Sequence, residues 1–214
     1  MTDPRTSCQL YAVIEAGPAA SGRLSAALAA AALACLLVVP AAGRPLDAAT
    51  AKPLVDQAKR AGVAALVLAD AQLARTLGAD GVHVAAMKDQ QAAYRQAREL
   101  LGNGSVVGGD AGISRHAAML LAEAGADYVG FGAPPHLKDR DKARARRDDL
   151  VSWCAEVFQV PCVAFDVETP EEAETLAADG ADFIAVTLSE GLSPSSVSDM
   201  VGDIARVIRA GETT

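Results

Sequence analysis

Aromatic residues are scarce in this chain. They make up 4% of its 214 residues, with a single tryptophan, although 51% of the sequence is hydrophobic. An apolar interior built largely from alanine suits close packing of helices on sheets and leaves little material for an aromatic ligand groove. Cysteine is sparse too. Cys8, Cys35, Cys154 and Cys162 show no CxxC or paired spacing, which speaks against a zinc site or a disulfide framework. Three of the four lie in apolar or amphipathic surroundings, so buried free thiols in a reducing cytoplasm are expected. Basic residues are outnumbered, 19 Lys and Arg against 27 Asp and Glu, for a net charge of −8. That balance excludes non-specific binding to nucleic acid or to an anionic membrane surface.

Long uncharged runs are also few, and Leu24–Gly43 stands out. It carries no charge, follows Arg23 and ends in Pro40-Ala41-Ala42-Gly43, so it can be read as a membrane span or a signal-peptide core. The reading preferred here is an alanine-rich helix running into a buried strand, Cys35–Val39. A strand-like Leu10–Glu15 already precedes it, and the rest of the chain needs this unit to close a sheet. A helix this apolar can also face a second copy of the chain.

The sequence does contain a repeated phrase. Gly125–Gly132 reads GADYVGFG, and the same grammar occurs in Gly78–Val84 (GADGVHV) and Gly180–Val186 (GADFIAV). Each copy follows an Ala/Leu-rich helical stretch. A helix closed by glycine and leading straight into a short apolar strand is half of a βαβ unit. Three copies roughly fifty residues apart imply strands and helices alternating along the whole chain.

The elements can be read in order. Strands are expected at Leu10–Glu15, Cys35–Val39, Ala64–Leu68, Val82–Val84, Ser105–Gly108, Tyr128–Phe131, Cys162–Phe165 and Phe183–Val186. Helices are expected at Leu24–Ala34 (capped by Ser21 or Gly22), Ala48–Arg60, Ala71–Leu77, Asp89–Leu101, Arg115–Ala124, Leu150–Phe158, Glu171–Asp179 and Ser195–Ala210. Pro134–Arg147 reads as a long basic loop. Eight strands, each followed by a helix, close into one (β/α)8 TIM barrel over residues 1–214, with its chemistry on the loops after the strands.

Most of the chain resembles the thiamine-phosphate synthase family and its thiazole tautomerase relatives. The resemblance rests on GADGVHV, on GADYVGFGAPP (Gly125–Pro135), and on Pro161–Phe165 before Thr169-Pro170. It implies a transferase that joins hydroxymethylpyrimidine diphosphate to thiazole phosphate in thiamine biosynthesis, with Mg2+ on the diphosphate. Carried over by position, Tyr11 and His83 match residues that line the pyrimidine pocket. Lys138 or Arg140 stands for the family's phosphate-binding lysine. The diphosphate-gripping Gln-x-Arg-x-Lys run falls on Leu36–Pro40. The two metal carboxylates fall one residue short of Asp70 and of Asp89, and the phosphate-admitting Gly-Gly falls on Asp166-Val167.

Two readings of the site follow. In the first, this is a thiamine-phosphate synthase-like enzyme of altered activity, with Asp70 and Asp89 as metal candidates. In the second, it is a non-catalytic barrel that binds or senses a small phosphorylated heterocycle. Individual residues also keep two readings. His83 is a ligand contact or a satisfied structural histidine, and Tyr11 a ligand contact or a wall of the barrel. The basic segment is a phosphate site or a solvated loop. Asp70, Asp110 and Asp166 form an acidic site at the barrel mouth or serve as caps and turns. Met87 and Trp153 are expected to pack.

Overall fold

The computed structural model describes residues 8–133 and 137–210. Its strands are β1 (Gln9–Ala16), β2 (Cys35–Pro40), β3 (Ala64–Leu68), β4 (Gly81–Val84), β5 (Val106–Gly112), β6 (Val129–Phe131), β7 (Cys162–Ala164) and β8 (Phe183–Leu188). They form a closed barrel in chain order, with parallel pairing throughout and β8 returning to β1. The helices between them are α1 (Ala20–Ala30), α2 (Ala48–Arg60), α3 (Ala71–Leu77), α4 (Gln90–Leu101), α5 (Arg115–Glu123), α6 (Arg140–Val157), α7 (Pro170–Ala178) and α8 (Pro194–Ala210). This is the expected TIM barrel.

Alternation along the strands separates two cores. Leu10, Ala12 and Ile14 of β1 pack outward under the helices. Tyr11 and Val13 join Leu37, Leu66, Val163 and Ala185 inside the barrel. The helix-side core is rich in alanine, with Ala20, Ala27, Ala51, Ala58, Ala74, Ala118 and Ala173 all buried. Small side chains there let the helices lie close on the sheet.

The repeated GAD phrase has a definite mechanical role. The Oδ2 atoms of Asp80, Asp127 and Asp182 accept the backbone N–H of Ala65, Val107 and Cys162 at 2.8, 2.7 and 2.8 Å. The aspartates' own N–H groups donate to the carbonyls of those same residues at 2.8, 3.1 and 3.1 Å. Each aspartate therefore grips one residue of the preceding strand at two points and sets the pairing register. Between β1 and β2 the equivalent backbone bond runs from Ala34 N to Leu10 O at 2.8 Å, with no carboxylate to accompany it.

Several expected boundaries move. α1 begins at Ala20 behind a left-handed Ala19 (φ 61°), so neither Ser21 nor Gly22 caps it. The uncharged run is shared between α1 and β2, and no helix among the described residues is long and apolar enough to cross a membrane. The segment read as a basic loop is largely helical. Asp139 caps α6 by accepting the Lys142 N–H at 3.1 Å, so Arg140 to Arg147 form its first turns. Pro134 and Pro135 lie outside the described residues. Met87, expected to pack, is 56% exposed. Trp153 lies between the Arg115 guanidinium, 4.9 Å from its ring centre, and the edge of Phe158. Cys154 and Cys162 are buried free thiols as expected, whereas Cys8 and Cys35 are only half-buried.

The two-point grip is testable. Asp182→Ala leaves the Cys162 N–H without its acceptor and should cost about 1–3 kcal/mol of stability. Asp182→Asn retains an oxygen acceptor and should lose much less. Urea unfolding of the three proteins measures this, and equal stabilities would dispose of the clamp.

Candidate active site

The barrel interior holds one hydrogen-bonded chain. Tyr11 of β1 and Tyr128, just before β6, place their hydroxyls 3.0 Å apart, and the Tyr128 hydroxyl lies 2.7 Å from His83 Nδ1. All three side chains are buried. The Phe165 ring meets Tyr11 and His83 edge-on, at 5.4 and 5.3 Å between centres. Two glycines make this filling possible. A Cβ on Gly108 would come within 2.1 Å of the Tyr128 ring, and one on Gly130 within 2.5 Å of the Phe165 ring.

This floor is uncharged. Burial pulls the His83 pKa down to about 4 and pushes the Cys35 thiol, which also bonds Tyr11, up to about 12. Both tyrosines are raised well above their ordinary range, first by burial and then by neighbouring groups. Two proton orders satisfy the chain: Cys35 to Tyr11 to Tyr128 to His83, or the reverse. They leave Nε2 of His83 as donor or acceptor respectively.

Above the floor lie two carboxylates. Asp110 sits in β5 beside a register shift, beyond which the pairing with β6 resumes at Gly112 and Phe131. Its Oδ1 accepts the Gly112 N–H at 2.7 Å, and Gln90 fastens the same strand by donating to the Asp110 carbonyl at 2.6 Å. Asp166 follows β7 in a left-handed conformation, φ 59°. Burial raises both carboxyl pKa values, and the charge of Asp166 adds to the rise at Asp110. The Asp166 charge is thus felt at Asp110.

The metal candidates do not converge. Asp70 caps α3 by accepting the Leu73 N–H at 2.8 Å, and lines a groove between α3 and α4. Asp89 precedes α4 and lines the groove on its other side, towards α5. Among the described residues no group of three or more His, Cys, Asp or Glu side chains could hold a metal ion. This donor arrangement does not fit a Mg2+ bridged by two carboxylates and a diphosphate.

The basic segment is engaged with its neighbours. Arg140 Nη2 donates to Glu168 Oε1 at 3.0 Å, and Arg144 pairs with the other oxygen of that carboxylate. Arg147, fully buried, donates to the carbonyls of Phe165 and Asp166 at 3.1 and 3.0 Å. Lys138 is exposed.

Sequence reasoning overlooked two residues that shape this site. Tyr128 offers no more in the sequence than the start of a strand, although its place two residues before Gly130 gives it the inward face. Arg23 is 1% exposed and donates to the carbonyls of Glu15, Leu188, Pro18 and Glu190, at 2.7, 3.3, 3.4 and 3.5 Å. It joins the loops after β1 and β8. Its position as the last charge before an uncharged run was the available signal.

The family model for thiamine monophosphate synthase matches residues 10–189. The chain belongs to that family. It is 39% identical over 137 residues to the thiamine-phosphate synthase of Rhodospirillum centenum, covering 64% of this chain and 65% of the relative. It is 31% identical over 180 residues to that of Chlorobium luteolum, covering 81% of each. In the first two relatives, from Rhodospirillum centenum and Erythrobacter litoralis, the chain spans 65% and 64% of their length, just under two thirds. The structure of thiamine phosphate pyrophosphorylase from Pyrococcus furiosus superposes with a TM-score of 0.76 at 18% identity, covering 98% of this chain and 99% of that one. At that identity it speaks for the fold alone.

The neutral His83 predicts a pH dependence. Its folded pKa of about 4 lies below the ordinary 6.5. An unfolded chain takes up the proton below pH 6.5, and the folded one only near pH 4. The stabilisation is complete above that window and falls by about 3 kcal/mol as pH drops through it. Asp110 and Asp166, raised in the fold, act in the opposite sense, so the difference between wild type and His83→Gln isolates the histidine. That difference should shrink from pH 7 to pH 4.5 in denaturant unfolding.

Proposed function

We propose that this family member binds a small thiamine-related heterocycle over the Tyr11–Tyr128–His83 floor, and that its joining reaction is weak or altered. The carrying observation is the hydrogen-bonded chain itself. Tyr11 and His83, the two positions matched to the pyrimidine pocket, are tied together through Tyr128 at the centre of the barrel. A rigid, uncharged surface with one imidazole nitrogen left over suits a flat, polar-edged ring. The dispersed Asp70 and Asp89 argue against the usual electrostatic support for a departing diphosphate. Loss of even one such contact typically lowers a rate by about 10²–10³.

A second reading, a non-catalytic binding barrel, is favoured by the same dispersal. Residence in the cytoplasm and self-association through an apolar helix face are compatible with both readings and form part of the proposal.

Calorimetric titration with hydroxymethylpyrimidine diphosphate and with thiazole phosphate, with and without Mg2+, alongside a product assay, separates them. The expected result is binding of the pyrimidine ligand that His83→Ala weakens by about tenfold or more, with slow joining. Joining at an ordinary enzymatic rate would remove the altered-activity reading. Binding of neither ligand by the folded protein would remove the heterocycle. Binding without any product favours the second reading.

A further inference from the structure

Away from the barrel mouth, two thiols meet between α6 and β7. Alternation along β7 turns Val163 into the barrel and Cys162 outward, under the buried face of α6 that carries Cys154. The two thiols hydrogen-bond one another. Cys162 Sγ also donates to the Gly180 carbonyl oxygen, 3.7 Å away. In the resting pair Cys154 is therefore the donor to Cys162, and when Cys154 ionises the Cys162 S–H can turn towards it.

Their surroundings divide the two roles of thiol–disulfide exchange between them. The contact with Cys162 draws the Cys154 pKa down against the effect of burial. The same contact and burial together push Cys162 up. Cys154 is thus the thiol that ionises first and attacks. It lies in the last turn of α6, which ends at Val157, 58% exposed. Helix ends fray readily, so this turn opens without unfolding the barrel. Cys162 stays fixed, because Asp182 grips its backbone N–H at 2.8 Å and its carbonyl at 3.1 Å. An attacking thiol on a movable turn beside a fixed second thiol suits reversible oxidation.

We propose that Cys154 and Cys162 form a redox modification site, which a low-molecular-weight disulfide oxidises to an internal disulfide. The Cys154 thiolate attacks one sulfur of the reagent and expels the other, which leaves as a thiol with the proton that Cys154 gave up. Cys162 then loses its proton, attacks the Cys154 sulfur of the mixed disulfide and releases the second thiol. The protein is oxidised by loss of two hydrogens, and the reagent is reduced to two thiols. The new bond closes a loop over residues 155–161 and ties the end of α6 to the start of β7. The other end of that helix holds the loop at the mouth through Arg140, Arg144 and Arg147. Exposure alone would select a different thiol. Cys35 is half-buried and the pair is buried, but Cys35, with its pKa pushed up to about 12, is a poor nucleophile.

The full chain, folded and at neutral pH, is incubated with glutathione disulfide, then alkylated, digested and read by mass spectrometry. Cys154 and Cys162 should escape alkylation in a peptide lighter by two hydrogens, and dithiothreitol should restore both thiols. Cys162→Ala should stop at a glutathione adduct on Cys154, and Cys154→Ala should leave Cys162 unmodified. Cys162→Ser serves as a second variant, with circular dichroism reporting the fold. Modification of Cys35 ahead of the pair, absence of the adduct in both folded Cys162 variants, or a bond between 154 and 162 that forms only in urea would overturn the site.

Discussion

A carboxylate that accepts the backbone N–H of a neighbouring strand is the bond on which this barrel depends. Asp80, Asp127 and Asp182 each make it at the base of an even-numbered strand, and each also donates its own N–H to the same residue. A one-residue slip in a strand would turn its inward face outward. By pinning register at the start of β4, β6 and β8, the aspartates decide that His83, Tyr128 and Ala185 face the barrel axis. The site at one end of the barrel is thus specified by hydrogen bonds at the other.

What those registers assemble is divided by charge. The floor of Tyr11, Tyr128, His83 and Phe165 is neutral, held so by burial. The charged side chains of the site lie at the rim, where Asp110 feels the charge of Asp166 and three arginines of α6 hold the loop after β7. A buried charge would need a partner that the alanine-rich barrel does not supply. The polar chain instead satisfies itself, hydroxyl to hydroxyl to imidazole. Arg23 solves the same problem differently, spending its donors on four carbonyls and so fastening the first and last loops together.

The fold was legible because its signals are local. A glycine stop, an aspartate and an apolar strand recur within a few residues, and the family resemblance rests on the same phrase. The site was less legible because its partners are distant in sequence. Tyr128 lies 117 residues from Tyr11 and 45 from His83, and a strand as short as Val129–Phe131 is too brief to display its alternation. The run Arg140–Arg147 lacks an apolar stripe and so resembles a loop. Its helical form relies on the Asp139 cap and on Glu168 and Glu172 further along the chain. Asp70 and Asp89 both stand beside helix starts, where carboxylates are common for reasons of capping alone, and only the packing of α3, α4 and α5 shows that they look into different grooves.

The backbone at Asp166 keeps a shape that favours glycine. With φ at 59° it occupies the left-handed region, where an aspartate is tolerated and a glycine is at ease. The carbonyl grip of Arg147 would hold that shape whichever residue stood there. A glycine at that one position would take a carboxylate away from the barrel mouth and ask the backbone for no new shape.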